Sequence, residues 1–163
     1  MAITISGSGI TSSEIADGTI TTDDIASGVT GKVLQVVSQP APSVFSTTNS
    51  TVQSTGHSAT ITPTSSSSKI YVLVSFDGYQ SSQGRTYKAY LYRGASIIGG
   101  LHLYEDGDSN PKTSSCITVL DTPSTTSPVT YEMKIGTDGV GTSYYNYSNT
   151  QGKNTITLME IGA

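Results

Sequence analysis

The nine residues Lys69–Asp77, KIYVLVSFD, carry the strongest apolar run in the chain. Val, Ile and aromatic side chains lose rotamer freedom in a helix and pack well on a pleated surface. The run predicts a strand, and its near-continuous apolarity predicts burial on both faces. The same period of two recurs on either side of it. Strands are predicted at Lys32–Ser38, Ser50–Thr55 and Ser58–Thr62 before it. After it come Arg85–Arg93, Ser96–Ile98, Leu101–Tyr104, Ser114–Leu120, Val129–Ile135, Thr142–Tyr147 and Asn154–Ile161. Gln39-Pro40-Ala41-Pro42 reads as a turn, Pro63–Ser68 as a polar connector, and Asp77-Gly78, Gly94-Ala95, Asp106-Gly107 and Asp138-Gly139 as turn dipeptides. No window carries a helical stripe. About ten short strands at roughly 8–12-residue spacing predict an all-β sandwich or jelly roll.

Composition points the same way. Charged residues are 12% and hydrophobic residues 34% of the 163, with Ser, Thr and Gly filling the difference. So little charge gives no self-repulsion to hold a disordered chain open. With no Trp and two Phe, the core must be built from Val, Ile, Leu and Tyr. A net charge of −4 without a Lys/Arg cluster argues against nucleic acid as a partner. No apolar run is long enough for membrane insertion, and no secretory signal is visible. The single cysteine, Cys116, excludes an intramolecular disulfide, which fits either a protein made in a reducing cytoplasm or one indifferent to redox state.

Residues 1–30 follow a different rule. ITSSEIADGT and ITTDDIASGV, Ile10–Thr19 and Ile20–Val29, are one ten-residue unit written twice. Thr11 or Thr21 can cap a short turn with Glu14 or Asp24 three residues on, and Gly18 or Gly28 can end it. Each unit has only two isoleucines to bury, less than the backbone entropy of ordering it. Ile10, Ile15, Ile20 and Ile25 are therefore the residues expected to anchor to a particle or touch sister chains. The division predicted is an N-terminal connector at 1–30 and a head domain at 31–163.

SATITPTSSSSKIYVLVSFDGY, KAYLYRGASIIGG and the later NTITLMEI resemble jelly-roll heads of virion proteins from tailed bacteriophages, themselves similar to the C1q/TNF jelly roll. The paired I-x-x-x-[DE]-I-A-x-G units resemble N-terminal connectors of phage fibre and decoration proteins. The resemblance covers about 31–163. It implies a C1q/TNF-like jelly-roll sandwich forming a homotrimer, a structural part of a virus particle assembled in the host cytoplasm. Expected partners are sister chains, other virion proteins of capsid or tail, and a host surface glycan. Two units make too short a shaft for a long tail fibre, which favours a capsid decoration protein. The alternative is the receptor-binding tip of a short tail fibre.

The chemistry-bearing residues predict no catalytic site and no cofactor. His57 has no carboxylate nearby in sequence. His102 precedes Glu105 and Asp106 at a spacing that shares a face only on a helix, so it reads as a strand residue with Leu101 and Leu103 on the other face. Cys116 reads as a small buried hydrophobe of an alternating strand. Asp106, Asp108 and Asn110 follow the first three ligand positions of a calcium loop. Pro111 stands where the loop needs glycine, and Ile117 where it needs glutamate, so a solvated turn fits as well. C1q-like trimers can bind calcium at an apical loop, which keeps these three residues as a metal candidate. Ten tyrosines remain. By period two Tyr87 and Tyr92, and Tyr144 and Tyr145, fall on opposite faces, so some fill the core and others face a subunit or ligand. Tyr144, Tyr145 and Tyr147 are the candidate ligand-facing set.

Overall fold

Buried and open side chains alternate along the central strands of the computed structural model, which describes residues 32–82, 84–104, 112–148 and 154–162. Among them there is no helix. Ten strands form: β1 (Val33–Pro40), β2 (Phe45–Thr47), β3 (Gln53–Ile61), β4 (Lys69–Gln80), β5 (Thr86–Arg93), β6 (Ser96–Tyr104), β7 (Lys112–Asp121), β8 (Val129–Gly136), β9 (Ser143–Tyr145) and β10 (Thr155–Ile161). Ile10, Ile15, Ile20 and Ile25, and Asp106, Asp108 and Asn110, lie outside the described residues.

The pairing is nested. β1 pairs with β10, β2 with β9, β3 with β8, β4 with β7 and β5 with β6, all antiparallel. The chain is thus one long hairpin turning at Gly94-Ala95, rolled up so that β4 also meets β10 and β9, and β5 meets β8. That is a jelly roll. One sheet runs β1-β10-β4-β7, with β9 and β2 extending it beside the end of β4; the other runs β3-β8-β5-β6. The register puts the start of β1, the end of β10 and the β3–β4, β5–β6 and β7–β8 connections at one end, here called the base. The β2–β3, β4–β5 and β8–β9 connections lie at the far end.

Between the sheets sit Ile70, Val72, Val74 and Phe76 of β4, Tyr87, Ala89 and Leu91 of β5, Tyr131, Met133 and Ile135 of β8, and Ile156 and Leu158 of β10. Tyrosine fills the space that Trp would take. The expected burial of β4 on both faces is corrected to one: Tyr71 and Leu73 point outward and are half-buried. Asp77-Gly78 is not a turn but lies inside β4. A Cβ on Gly78 would sit 2.7 Å from the Tyr87 ring, so glycine there makes room for a tyrosine of the opposite sheet. Ser50–Thr55 and Ser58–Thr62 merge into β3 through an irregularity between Ser54 and Ser58, where Gly56 takes a positive φ. Ser96–Ile98 and Leu101–Tyr104 merge into β6. β9 stops early because Asn146 turns left-handed, a conformation Asn tolerates.

Three polar clusters tie the elements together. Glu160 is fully buried. Burial opposes its ionisation, but Gln35 Nε2 donates to it at 2.6 Å and the Thr64 amide and hydroxyl each at 2.7 Å. The donors prevail and hold its carboxyl at about 2. Glu160 thereby pins β1 and the Pro63–Ser68 connector to β10. Arg93 of β5 donates to both oxygens of Asp121 of β7 at 2.7 Å, and Tyr131 of β8 donates to the same carboxylate at 2.7 Å. His57 is also fully buried; its Nε2–H donates to the Gln39 carbonyl at 2.9 Å, leaving Nδ1 to accept from the Tyr145 hydroxyl at 2.5 Å. Burial lowers the His57 pKa and keeps the ring neutral.

Candidate functional site

The two sheets turn different outer faces to their surroundings. On the β3-β8-β5-β6 sheet most outward side chains are charged or polar and several pair with one another, while Ile97, beside Tyr92, is 54% exposed. Lys134 Nζ lies 3.4 Å from Glu132 and 4.4 Å from the centre of the Tyr92 ring. Ser54 donates to Glu132, and the Tyr90 hydroxyl meets His102 Nε2. Lys88 Nζ reaches the Ser50 carbonyl at 3.5 Å. His102 is exposed while Leu101 and Leu103 face inward, as period two requires.

The outer face of the β1-β10-β4-β7 sheet is built from neutral rows. The register lines up Val36, Met159, Tyr71 and Leu120, next Ser38, Thr157, Leu73 and Thr118, then Pro40, Thr155, Ser75 and Cys116. Val33 and Ile161 extend the apolar row toward the base. Val33 is 52% exposed, Val36 56% and Leu120 55%. Charge enters this face only at its ends, through Lys69 at the base and Asp77 and Lys112 at the far end. Cys116 stands on this face and is exposed, which corrects its reading as a buried hydrophobe. The strand does alternate there, and Ile117 is the residue whose phase points inward.

At the far end the neutral face gives way to aromatic rings. Tyr79 of β4 pairs across to Tyr144 of β9 and to Lys112 of β7. The centre of the Tyr79 ring lies 5.3 Å from that of Tyr144 and 4.6 Å from that of Tyr147. Tyr144 and Tyr147 meet edge to face at 5.8 Å, and Lys112 Nζ lies 5.2 Å from the Tyr147 ring centre. Beside them, Asp77 is fixed by the Asn154 amide at 2.8 Å and the Ser148 backbone N–H at 3.2 Å. A cleft of about 200 Å³ opens between Asp77, Lys112, Ser114 and Tyr147. An adjoining one of about 490 Å³ shares Asp77, Ser114 and Ser148 and reaches Cys116.

Of the three tyrosines expected to face a ligand, Tyr144 and Tyr147 are on this surface. Tyr145 is not: it is fully buried, stacked on Phe76 at 5.7 Å and bonded to His57. Its phase on β9 is opposite to Tyr144, so the core claims it. Tyr79 and Lys112 escaped the sequence reading, being brought to Tyr144 and Tyr147 only by the pairing of β4 with β9 and β7. Among the described residues no group of three His, Cys, Asp or Glu side chains could hold a metal ion.

No protein-family profile and no curated protein sequence matches the chain. Among solved structures it is similar to the infectious bursal disease virus Gx strain (16% identity, TM-score 0.41), covering 78% of this chain and 36% of that one. The VP2 subviral particle of the same virus gives 15% identity and a TM-score of 0.40, covering 79% and 37%. A Stig cyclase from Fischerella sp. TAU gives 13% identity and a TM-score of 0.36, covering 64% and 54%. The chain thus spans about half of the cyclase and little more than a third of the viral proteins. Likenesses this slight bear on neither activity nor partners.

Proposed function

We propose that the chain is a non-enzymatic structural protein of a bacteriophage particle, a homotrimer that decorates the capsid through its N-terminal segment. The observation that carries this is the neutral outer face of the β1-β10-β4-β7 sheet. Solvated sheet faces are usually polar and charged, as most of the opposite one is. An uncharged face can meet copies of itself around an axis without like-charge repulsion, and covering its half-exposed Val and Leu side chains contributes roughly 1 kcal/mol each. The jelly-roll architecture and the resemblance of residues 31–163 to phage virion heads support the same reading. Its partners would then be two sister chains and the capsid, with residues 1–30 as the anchor.

Light scattering on the purified chain tests the first half: three times the protomer mass is expected. Cys116 reports on the face itself. A thiol reagent should label it at least tenfold more slowly in the oligomer than in a dissociated variant. A monomer with a freely reactive Cys116 would sink the proposal. Deleting residues 1–30 should leave a soluble trimer that no longer docks on particles. Hundreds of copies per particle, spread over the head, are expected for decoration.

One observation favours a second reading, the receptor-binding tip of a short tail fibre that binds a bacterial surface glycan. The Tyr79, Tyr144 and Tyr147 cluster lies at the end opposite the start of β1. A few tens of copies at the tail would favour this reading over decoration.

A further inference from the structure

We propose that the far-end cleft binds an acidic pyranose sugar, stacked on Tyr147 with its carboxylate on Lys112. The inference deepens the glycan reading of the same tyrosines and rests on it. Three features carry it. First, the three outward tyrosines add nothing to the core, which Phe76 and Tyr145 close beneath them. Tyr147 is 40% exposed. Rings held together at a surface offer rigid flat area at little entropic cost, which suits the C–H face of a sugar ring.

Second, the wall beside the rings is hydroxyl-rich. Ser114 and Thr113 line it, and Asp77 is held in place by Asn154 and Ser148. Each carboxylate oxygen of Asp77 retains lone-pair capacity beyond these bonds, so it can accept from a sugar hydroxyl. The cleft of about 200 Å³ has room for one ring.

Third, Lys112 is exposed, and among the described residues no carboxylate lies within ion-pair reach of it. It rests over the Tyr147 ring. A uronate carboxylate would offer it a full charge in place of a ring quadrupole, and its flexible stem lets it swing to take it. A neutral sugar can take only a hydrogen bond to a hydroxyl from this lysine, without the charge pairing.

The test uses the full chain on an array of oligosaccharides bearing neutral hexoses or uronic acids, with an unrelated peptide library as a further arm. Retention of uronate-bearing sugars is expected. Tyr147→Ala should weaken it at least tenfold, and Lys112→Gln should remove the preference for uronate over neutral sugar. Both positions are exposed, and an unchanged melting temperature confirms that each variant folds. No sugar retained, retention indifferent to Tyr147→Ala, or capture of peptides alone at the same residues would each overturn the proposal. The oligomer mass, read on the same sample, separates this from the trimer reading. A monomer that holds uronate keeps the cleft and sinks the trimer; a trimer that holds no sugar does the reverse.

Discussion

The two outer faces of this sandwich were made by the same alternation, yet they differ in kind. On the β3-β8-β5-β6 sheet, Lys88, Tyr90, Tyr92, His102, Glu132 and Lys134 spend their polar groups on one another and on water. On the β1-β10-β4-β7 sheet, Val36, Met159, Tyr71 and Leu120 form an apolar row next to rows of Ser, Thr and Cys, and charge is pushed to the two ends. An antiparallel sheet with one solvated face needs no such row. On the proposed reading the neutral face is the one covered in the oligomer, and that reading can be broken directly. Leu120→Glu puts a carboxylate on the apolar row of every copy. Three unpaired carboxylates in a covered interface cost several kcal/mol each, more than a modest trimer has. The expected result is a fall in mass to that of the monomer with the fold intact by circular dichroism. Thr60→Glu, on the opposite face beside Thr130, should leave the mass unchanged. Equal effects from the two substitutions would erase the distinction between the faces.

How far could this contrast be read without coordinates? The strand at Lys69–Asp77 was legible from its apolar, β-branched run, and those at Arg85–Arg93, Val129–Ile135 and Asn154–Ile161 because each alternates for about seven residues. Phase was not legible. Alternation says that Cys116 and Ile117 face opposite ways and that Tyr144 and Tyr145 do too, but only the partner strand decides which goes inward. β2 is three residues long and is held by β9, so no local signal marks it. The far-end cluster needed Tyr79, Lys112 and Tyr144, which stand scores of residues apart in the chain. Folding the strands as a nested hairpin would have set them side by side, and nothing in their local sequence does. Glu160 hides in an apolar strand because its partners, Gln35 and Thr64, come from the far half of that hairpin.

Glu160 sharpens the comparison from inside, because it fixes β1, the edge strand that presents Val33 and Val36. Its carboxyl titrates at about 2 in the folded chain against 4.5 for an unperturbed group. A depressed folded pKa stabilises at pH above the unfolded value, and the contribution disappears as pH falls from about 4.5 through about 2. The linkage is worth about 3 kcal/mol at full ionisation. In the monomeric Leu120→Glu background, urea unfolding should show this loss between pH 5 and 2 (approximate limits). Glu160→Gln should lower stability at neutral pH by about 2 kcal/mol and flatten that part of the profile. His57 acts in a higher window. Its folded pKa is also lowered, and only the unfolded chain takes up the proton as pH drops below about 6.5, so stability declines there too. A difference between Glu160→Gln and the parent that does not change with pH would mean the carboxyl is not held ionised.

The smallest expected effect belongs to the charged face. Glu132 and Lys134 sit two residues apart on β8, on one side of the sheet, with Nζ 3.4 Å from the carboxylate and 4.4 Å from the Tyr92 ring centre. Both side chains remain partly in water, at 28% and 25% exposure. A pair so placed gains little from Coulomb attraction, because solvent screens it and two long side chains must be held still. The ring contact adds a comparable small amount. A double-mutant cycle of Glu132→Ala and Lys134→Ala should therefore give a coupling below about 1 kcal/mol, smaller still in molar salt. The mass of the oligomer should not respond. A coupling of several kcal/mol would mean that these charges are desolvated in the working assembly. This face, and not the neutral one, would then be the surface the protein covers.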